Sequence, residues 1–599
     1  MTQPEKPCSQ YEFIREYLLA LLADAKSRFE SYSNADYLRD GAELVTRLNH
    51  EGISFATRTL PTLSESLLQH LSGRRATYSG FKLTRAKDYP LFLKGLFFLA
   101  YDEDSLSHTS AIEWIYNFSN SFKKLKGPFR QAELQSQLND FVEVDQLLPD
   151  DHRNEFDELV IDHARMFITD LFGPINEDEN ILLDGIVPRP GPGATNKPVA
   201  LTRRFEPSVV HSVVDDVLPY AEWFYSSYNH FCWEIPRLRA LKRSEPRSRF
   251  KFVEKQVGKA RGICIEENEM QYFQQGVKHF LYQWIESHPL TKGKINFTDQ
   301  SINAHLALRS SCTGDSATLD MKEASDRITR QLVAKLFSDV PFLADILDRL
   351  STRAIDLPFE ANGMSTLMAK KFAPMGSGIC FPIMSLVHYA LIRSIIHLSM
   401  LPDRMIQTLH VYGDDIVVDI KCVQAIFDCL PRFGMKFNTN KSFYSGYFRE
   451  SCGMHAYRGV NITPVYLKYT TGNRFASNVK YSVIQSEYDL YKKGYYNACG
   501  VLRKFHTDIT ITVKPTCQAL GWKRPHCSTP VGVMKRWNAK WHCIEFRVDC
   551  FVTISELDAM NDSPALLRWY SLRSHAHNDF QSFTLLKRRK RWLTLSDLV

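Results

Sequence analysis

The sequence predicts an α+β fold, and three features of the chain lead to that prediction. Near the N-terminus, residues 11–29 repeat apolar side chains at the spacing of a helix. Between Thr408 and Ile420, apolar and β-branched residues flank a Gly-Asp-Asp sequence, which is typical of a tight β-hairpin. Residues 250–470 alternate between strand-like and helix-like segments. Helices and strands are therefore both expected in large amounts.

The elements follow in order along the chain. The first helix is predicted from Tyr11 to Phe29, and a mixture of helix and loop continues to about residue 245. The alternating strands and helices of 250–470 come next, and a further helix is predicted from Val479 to Leu502. Irregular basic segments follow, and no internal repeat or long low-complexity linker interrupts the chain. The predicted core face of the first helix carries Ile14, Leu18, Leu21 and Leu22.

Composition limits the class of protein. The chain has 599 residues, of which 44% are hydrophobic and 24% charged, enough to bury a large core in several subdomains. Its 13 cysteines are scattered and odd in number, which favours free thiols in a reducing cytosol. Strongly apolar segments such as 91–100 carry a charge and are too short to span a bilayer, and residues 1–7 precede no apolar signal core. Neither a membrane partner nor secretion is expected.

Charge is unevenly distributed along the chain. Residues 471–599 contain 20 basic and 10 acidic residues, whereas residues 1–470 contain 54 basic and 57 acidic residues. Cations bind a phosphate backbone, and aromatic rings stack on unpaired bases. For each single residue a solvated surface or a core tryptophan is the favoured interpretation. The region as a whole is nevertheless predicted to contact RNA, because its basic residues are in excess. The residues concerned are Trp522, Lys523, Arg524, Lys535, Arg536, Trp537, Lys540, Trp541 and the run 587–592.

The tip of the predicted hairpin carries the strongest chemical signal. Asp414 and Asp415 are adjacent, and two carboxylates placed side by side repel each other unless a cation lies between them. Hard divalent ions such as Mg²⁺ take oxygen ligands and serve phosphate chemistry, so the pair indicates a metal-assisted phosphoryl transferase. The alternative is an ordinary polar turn, since Asp and Gly are common turn residues.

A third carboxylate decides between these alternatives, and Asp320 is the candidate. A short β-prone run ends at Asp320, so this side chain is expected to meet the hairpin tip on a neighbouring strand. Asp320, Asp414 and Asp415 could then hold two metal ions that clamp the attacking and leaving oxygens of an in-line displacement. Asp326 lies six residues further on and could line the same pocket and accept a hydrogen bond from a ribose hydroxyl. The alternative for Asp326 is an acid favoured at a helix N-terminus.

These carboxylates and the segments around them resemble a known family, the RNA-dependent RNA polymerase subunit of leviviruses, which are small positive-strand RNA bacteriophages. The resemblance is strong from about residue 250 to 470 and thin outside it. It implies a right-hand polymerase in which the palm is an antiparallel sheet backed by helices. The further segments that carry the resemblance, in chain order, are Met375–Gly378, Asn438–Phe443, Phe448–Gly453, His455, Tyr457, Gly459 and Thr463–Pro464.

The resemblance also implies a division of the chain and a set of site residues. Residues 1–249 would form an N-terminal region and fingers, 250–470 the catalytic core of fingers and palm, and 471–599 the thumb and a basic region that contacts RNA. Asp320, Asp414 and Asp415 would bind two Mg²⁺ or Mn²⁺ ions.

Lys255, Lys259 and Arg261 are predicted to bind the nucleoside triphosphate. In an extended segment their even spacing places them on one face, and Arg can grip phosphate with two hydrogen bonds. The matching basic segment of the family plays this part in the fingers. The alternative is that alternating basic residues mark only the solvated side of a strand.

Two further groups are assigned by resemblance. Gly376 and Gly378 would let the backbone approach the template and substrate closely, with the Ser377 hydroxyl between them. Coliphage relatives have Gly-Asn-Gly here, followed by acidic residues, so the contacts of this loop are left open. Lys441 matches a proton donor to the pyrophosphate leaving group, a role that needs a lysine pKa lowered towards working pH. A simple phosphate contact or a surface lysine is the alternative.

The function expected from all these features is template-directed RNA synthesis that replicates a positive-sense phage genome in the cytoplasm of an infected bacterium. Family members recruit host elongation factors Tu and Ts and a ribosomal protein, and these are possible partners here. Two other functions stay open. A reverse transcriptase shares the three carboxylates, although Gly413 and Asp326 argue against it. A non-catalytic RNA-binding protein with a polymerase shape is the third possibility.

Overall fold

The computed structural model describes residues 10–86, 88–149, 154–191, 193–199, 201–469, 477–509, 511–525, 533–555 and 584–598. Within these ranges helices and strands are both abundant, which confirms the predicted α+β class. The α-helices are α1 (Gln10–Arg28), α2 (Asn34–Glu51), α3 (Leu60–Leu71), α4 (Lys94–Tyr101), α5 (His108–Asn120), α6 (Gln131–Gln146), α7 (Glu155–Glu177), α8 (Asn180–Gly185), α9 (Ser212–Asp215), α10 (Tyr220–Trp223), α11 (Tyr228–Ala240), α12 (Asn268–Ser287), α13 (Ser301–Thr313), α14 (Arg330–Leu336), α15 (Pro341–Arg349), α16 (Cys380–Leu398), α17 (Val423–Cys429), α18 (Ser477–Lys492), α19 (Tyr496–Phe505) and α20 (Leu595–Leu598).

The strands form several small sheets instead of one large one. Their bounds are β1 (Arg247–Gln256), β2 (Lys259–Ile265), β3 (Ser316–Asp320), β4 (Ala354–Ala361), β5 (Met364–Met368), β6 (His410–Tyr412), β7 (Asp415–Asp419), β8 (Phe448–Ser451), β9 (Met454–Tyr457), β10 (Val460–Asn461), β11 (Thr512–Val513), β12 (Trp522–Lys523), β13 (Lys535–Asn538), β14 (Cys543–Ser555) and β15 (Thr584–Thr594). The hydrogen-bonded orders are β2-β1-β4-β5, β3-β7-β6, β10-β9-β8, β11-β12 and β13-β14-β15.

The sheet β3-β7-β6 contains the two strands that flank the Gly-Asp-Asp sequence and is antiparallel throughout. Helix α13 packs against all three of its strands, and α16 packs against β6. Strand β7 has the burial pattern of a central strand, with Ile416, Val417 and Val418 all buried between polar ends. The sheet therefore holds the two ends of β7, including Asp415, in fixed positions.

Two large apolar cores support this sheet. One is built from residues between Val160 and Met435 and includes α7, α12 and α16. The other joins residues 13–125 to residues 443–522, so that the N-terminal helices pack with β8, β9, α18 and α19. The first and last parts of the chain thus share one core through contacts that are distant in sequence.

The first predicted helix is confirmed, since α1 buries Ile14, Leu18, Leu21 and Leu22. The prediction of one helix from Val479 to Leu502 is wrong, because the structure divides this segment into α18 and α19. Gly494 lies between them with φ +80°, a left-handed conformation that ends a helix.

Helix α16 is long and apolar enough to cross a membrane by length and composition, a property that the sequence analysis did not assign to it. In the structure 78% of its apolar window is buried inside the protein, as expected for a core helix.

Candidate active site

The Gly-Asp-Asp hairpin has the predicted form, with Gly413 and Asp414 connecting β6 to β7. Gly413 has φ +66°, and a Cβ atom added there would lie 2.4 Å from Cε2 of Phe381. Its N–H donates to Oγ of Ser385 (3.1 Å), and its carbonyl accepts from Nδ1 of His388 (3.0 Å). Helix α16 therefore fixes the hairpin tip from below, and only glycine fits at that position.

The structure places Asp320 directly beside the hairpin tip. Strand β3 pairs antiparallel with β7, and Asp320 is the partner of Asp415 in the register. Residues directly opposite each other in such a pair have Cβ atoms about 4.5–5.5 Å apart. The backbone N–H of Met321 also donates to the Asp414 carbonyl (3.3 Å). The three carboxylates therefore converge from positions far apart in the sequence.

The protonation behaviour of these carboxylates reflects their crowding. Burial, helped by the charge of Asp414, raises the pKa of Asp320 to about 6. Burial and the charges of Asp414 and Asp320 together raise the pKa of Asp415 to about 7. Asp414 itself is exposed at the tip. A concentration of negative charge that the protein alone does not neutralise is the electrostatic setting in which a cation binds.

Hydrogen bonds from the segment after the hairpin hold two of these side chains. Nδ2 of Asn438 donates to Oδ2 of Asp320 (2.8 Å), and the backbone N–H of Asn438 donates to the Asp320 carbonyl (2.8 Å). The backbone N–H of Cys452 donates to Oδ2 of Asp415 (3.1 Å). The sequence analysis included Asn438 and Cys452 only as parts of matching segments and missed this role. No local pattern could have revealed it, because both contacts are long-range.

The residues present fit a divalent cation in charge and in ligand type. Carboxylate oxygens are hard ligands of the kind that Mg²⁺ and Mn²⁺ prefer. In the described part of the chain, however, no group of three or more His, Cys, Asp or Glu side chains is already arranged to hold a metal ion. Asp320 and Asp415 each direct one oxygen to a protein donor, Asn438 and Cys452 respectively. The carboxylates are thus neighbours that have to reorient to share an ion.

Lys441 lies between two acidic groups beside the hairpin. Its Nζ is 4.0 Å from Oδ1 of Asp320 and 3.8 Å from Oε1 of Glu450, and half of its side chain is exposed. The charge of Glu450 is the main cause that raises the pKa of Lys441, with Asp320 adding to it. These two acids favour the protonated form of Lys441. The roles of proton donor and of phosphate-binding cation both stay predictions for this residue.

Glu450 anchors Lys441 from a half-buried position. Burial alone would raise the pKa of Glu450, but His455, Lys441 and neighbouring lysines lower it, so the carboxylate stays ionised. Nε2 of His455 lies 3.6 Å from Oε1 of Glu450, and its Nδ1 is hydrogen-bonded to the hydroxyl of Tyr116 (2.8 Å). The N-terminal helix α5, which contains Tyr116, thereby contributes to the position of Lys441.

A large basic cavity of about 1330 Å³ lies next to Lys441. The pKa of Lys255 is lowered by partial withdrawal from water within this cavity and by the charges of Arg261 and Lys441. Cations that repel one another in this way favour a polyanionic ligand. Tyr466 and Tyr469 also line the cavity, and the ammonium groups of Lys124 and Lys126 lie over their rings. The cations of its wall include Lys124, Lys126, Lys255, Arg261, Lys441 and Lys468.

The prediction that Lys255, Lys259 and Arg261 lie on one extended segment is wrong. The chain turns at residues 257–258, so Lys255 lies on β1 while Lys259 and Arg261 lie on β2 of the same hairpin. Gly258 has φ +71°, which permits the turn. Lys255 and Arg261 line the basic cavity, and Lys259 is not among its lining residues. The Val-Gly pair between two β-prone runs was the available signal for this turn.

The two glycines of the 376–378 loop pack closely against neighbouring elements of the chain. Gly376 has φ +123°, and a Cβ atom there would lie 2.0 Å from the carbonyl oxygen of Cys264. Gly378 packs on Gln274 and donates its N–H to Oε1 of that residue (3.0 Å). Both glycines thus pack tightly on β2 and α12, and the close approach of this loop to the substrate stays a prediction. Oγ of Ser377 is buried and has no hydrogen-bond partner among the described residues.

Asp326 ends a short 3₁₀ turn, Ala324–Asp326, and its side chain is 20% exposed. Oδ1 of Asp326 accepts a hydrogen bond from Nζ of Lys371 (3.2 Å). It is not among the residues that line the basic cavity. Its charge contributes to a raised pKa at the buried thiols of Cys264 and Cys380, whose main cause is burial. The turn that carries Asp326 packs against α16, and its carboxylate contacts Lys371.

A profile of the family described as RNA replicase, beta-chain, matches residues 139–476, which is more than half of the chain and contains every carboxylate discussed above. The chain belongs to the RNA replicase beta-chain family. The resemblance to levivirus polymerase subunits is thereby confirmed.

Individual members of the family align over shorter stretches. The RNA-directed RNA polymerase beta chain of Escherichia phage MS2 is 35% identical over 217 residues, which is 36% of this chain and 37% of the phage protein. The corresponding subunit of Enterobacteria phage SP is 33% identical over 264 residues, 44% of this chain and 43% of that subunit. The Qbeta virus (strain MX1) subunit is 33% identical over 213 residues, 35% of this chain and 33% of that subunit. The alignments thus span between one third and one half of these relatives.

Solved structures are similar at a lower level. An RNA-dependent RNA polymerase of BmCPV at the elongation state has a TM-score of 0.44 and 11% identity, over 70% of this chain and 40% of that chain. An RdRp complex has a TM-score of 0.41 and 11% identity, over 69% of this chain and 40% of that chain.

Proposed function

We propose that the chain is an RNA-dependent RNA polymerase that replicates a single-stranded, positive-sense phage genome from ribonucleoside triphosphates. The observation that carries this proposal is the pairing of Asp320 with Asp415 beside Asp414, inside the segment that matches the replicase family. The basic cavity next to these carboxylates supports it, because both substrates, RNA and nucleoside triphosphates, are polyanions.

The roles of the residues follow from their positions. Asp320, Asp414 and Asp415 would hold two Mg²⁺ or Mn²⁺ ions, which activate a 3′-hydroxyl and neutralise the departing pyrophosphate when they are bound. Asn438 and the Cys452 N–H orient two of these carboxylates.

The cations and Asp326 bind the nucleotide in this proposal. Lys255 and Arg261 bind the triphosphate from the wall of the cavity, and Lys259 on the same hairpin supplies a further cation. Lys441, kept protonated by Glu450, holds the phosphates close to Asp320. Asp326 accepts a hydrogen bond from a ribose hydroxyl. The loop 376–378 follows Lys371, the residue that contacts Asp326. In polymerase terms, 250–470 would be fingers and palm, 1–249 N-terminal region and fingers, and 471–599 thumb.

The decisive experiment replaces a metal-binding carboxylate by its amide. Asp414→Asn should lower RNA synthesis on a primed template by roughly a hundredfold or more, because the variant removes charge from the place where the cations bind. The fold should persist, since Asp414 is exposed. Asp419→Asn is the matched control, because Asp419 lies at the other end of the same strand, β7. Nucleotide incorporation by Asp414→Asn at the rate of the unmodified chain would remove the assignment.

The same assay separates the alternatives. Incorporation of deoxynucleotides in preference to ribonucleotides would indicate a reverse transcriptase, and RNA binding without incorporation at any Mg²⁺ or Mn²⁺ concentration would indicate a non-catalytic protein. The relatives are named beta chains, and we propose that this chain also works with other subunits in the infected bacterium. Host elongation factors Tu and Ts and a ribosomal protein are the proposed partners. Purification of a tagged chain from its host, followed by mass spectrometry, should recover them in stoichiometric amounts.

A further inference from the structure

A buried lysine lies below the proposed sugar-binding residue. The side chain of Lys371 is fully buried, and its Nζ donates to Oδ1 of Asp326 (3.2 Å). Its Nζ also lies 3.5 Å from the ring centroid of Phe141 and 3.9 Å from Oδ1 of Asp145. A charged ammonium is retained in the interior of a protein only where carboxylates or ring faces compensate it. Lys371 is therefore tied to Asp326 and to helix α6, which contains Phe141 and Asp145.

Asp145 is occupied by other contacts, which leaves Asp326 as the closer partner. Oδ1 of Asp145 accepts the backbone N–H of Lys371, and Oδ2 accepts that of Lys370, each at 3.0 Å. Asp145 is buried and fixed by these two bonds. Because one carboxylate is anchored to the backbone, the ammonium group forms its hydrogen bond with the other. The position of the Lys371 ammonium group relative to α6 then determines where Oδ1 of Asp326 lies.

The backbone on both sides reinforces this geometry. Thr329 and Lys371 form an isolated antiparallel bridge, and the N–H of Phe372 donates to the carbonyl of Ile328 (2.8 Å). The segment that follows Asp326 is thus joined to the segment that leads into the 376–378 loop. Lys371 lies at this junction, with its side chain directed to the carboxylate.

We infer that Lys371 is a positioning residue for ribonucleotide selection: it holds one oxygen of Asp326, so that the rest of this partly exposed carboxylate accepts the ribose hydroxyl. The inference rests on the proposed polymerase function and deepens it. Without the ammonium group, Asp326 has no fixed orientation and a poorly compensated charge. A site built to hydrogen-bond a hydroxyl discriminates strongly against a substrate that lacks it, and this discrimination depends on fixed geometry.

The test compares ribonucleotide with deoxyribonucleotide incorporation, with kcat and KM measured separately for each. Lys371→Met keeps the length of the side chain and removes its charge, and we expect the preference for ribonucleotides to fall by roughly tenfold or more. The loss should come from the ribonucleotide, whose hydroxyl loses its partner, while deoxyribonucleotide incorporation stays unchanged. Lys370→Met is the matched control, because Lys370 is the adjacent residue and is exposed. The Lys370→Met variant should prefer ribonucleotides to the same extent as the unmodified chain.

A double variant shows whether Lys371 acts through Asp326. Asp326→Asn should lower the preference by itself, and adding Lys371→Met to it should change the preference no further. An additional loss in the double variant, or an unchanged preference in Lys371→Met that synthesises RNA at a normal rate, overturns the inference. If Lys371→Met does not fold, Lys371→Gln replaces it, because the amide is polar but uncharged and its nitrogen lies one bond closer to the backbone than Nζ, so that it falls short of Oδ1 of Asp326. An unchanged preference for ribonucleotides in Lys371→Gln also overturns the inference. Failure of the unmodified chain to make RNA would instead contradict the proposed function, and the inference with it.

Discussion

Gly413 shows how a single residue sets the position of the proposed metal-binding carboxylates. Its positive φ and the close approach of Phe381 both require the absence of a side chain. Asp414 and Asp415 follow immediately in the sequence, so any displacement of Gly413 moves both carboxylates away from Asp320. The glycine acts on the site through geometry alone.

Gly413→Ala should therefore lower both stability and RNA synthesis. The left-handed conformation costs roughly 1–2 kcal/mol for a residue with a Cβ atom, and the contact with Phe381 adds overpacking of about 1–3 kcal/mol. Gly363 has φ +78° with nothing within 4 Å of an added Cβ, so Gly363→Ala isolates the conformational cost. Urea denaturation of both variants measures the difference. Equal destabilisation of the two would show that Phe381 yields without cost.

At the residue scale, sequence patterns found the acids but not the groups that hold them. Asp320 could be predicted because a β-prone run ends at it, and the structure brings it beside Asp415. Asn438 and Lys371 carry no such signal, since each acts through a contact with a residue far away in the sequence. An isolated lysine or asparagine is compatible with almost any surface, and only the fold shows which of them is buried beside a carboxylate.

The segment after the hairpin is the element that organises the site. Between Asn438 and Cys452 it supplies hydrogen bonds to Asp320 and Asp415, and it carries Lys441 and Glu450. These contacts come from one continuous stretch of chain, so the donors to two of the carboxylates and the proposed phosphate-binding cation belong to one segment. The segment also pairs with β3 through the bridge between Thr318 and Phe443.

Asn438→Ala tests this element. Loss of the amide leaves Asp320 without its donor, and residues that orient metal ligands typically contribute a factor of roughly 10–100 to metal affinity. The Mg²⁺ concentration that gives half-maximal RNA synthesis should therefore rise by about tenfold, with little change in the thermal midpoint. Asn440→Ala, two residues away and exposed, serves as the control. An unchanged Mg²⁺ requirement would exclude the orienting role.

At the element scale, the sequence patterns predicted the type of structure better than its breaks. The hairpin at Asp414 and helix α1 could be recognised because their apolar periodicity is strong. The turn at Gly258 and the break at Gly494 were missed, since one glycine in a longer periodic run gives only a weak signal. Both errors merged two elements into one.

The whole molecule has a pronounced charge asymmetry, with the excess of basic residues after residue 470. Trp537 on β13 and Trp541 in the turn between β13 and β14 are 61% and 68% exposed, and Lys535 and Lys540 in the same segment are also exposed. Exposed rings and cations in this combination are typical of surfaces that bind single-stranded nucleic acid. The C-terminal RNA contact remains a prediction, and residues 556–583 lie outside the described residues.

Salt dependence measures this contact. Each cation that neutralises a phosphate of a single strand contributes about 0.7 to the slope of log affinity against log salt concentration. Replacing Lys535 and Lys540 by Ser should therefore reduce the slope for single-stranded RNA by about 1.4. Lys292 and Lys421 are exposed lysines elsewhere on the molecule, and their replacement by Ser is the control. Fluorescence anisotropy at several salt concentrations gives the slopes, and identical slopes for both pairs would place the RNA elsewhere.

The core that unites residues 13–125 with residues 443–522 has a consequence for biosynthesis. The N-terminal helices leave the ribosome long before their packing partners in β8, β9, α18 and α19 have been translated. Until then their apolar faces stay uncovered, and a nascent chain in that state is a natural client of chaperones. Premature termination anywhere before residue 443 would release a fragment that lacks every residue this core takes from 443–522, so aggregation of truncated products is expected.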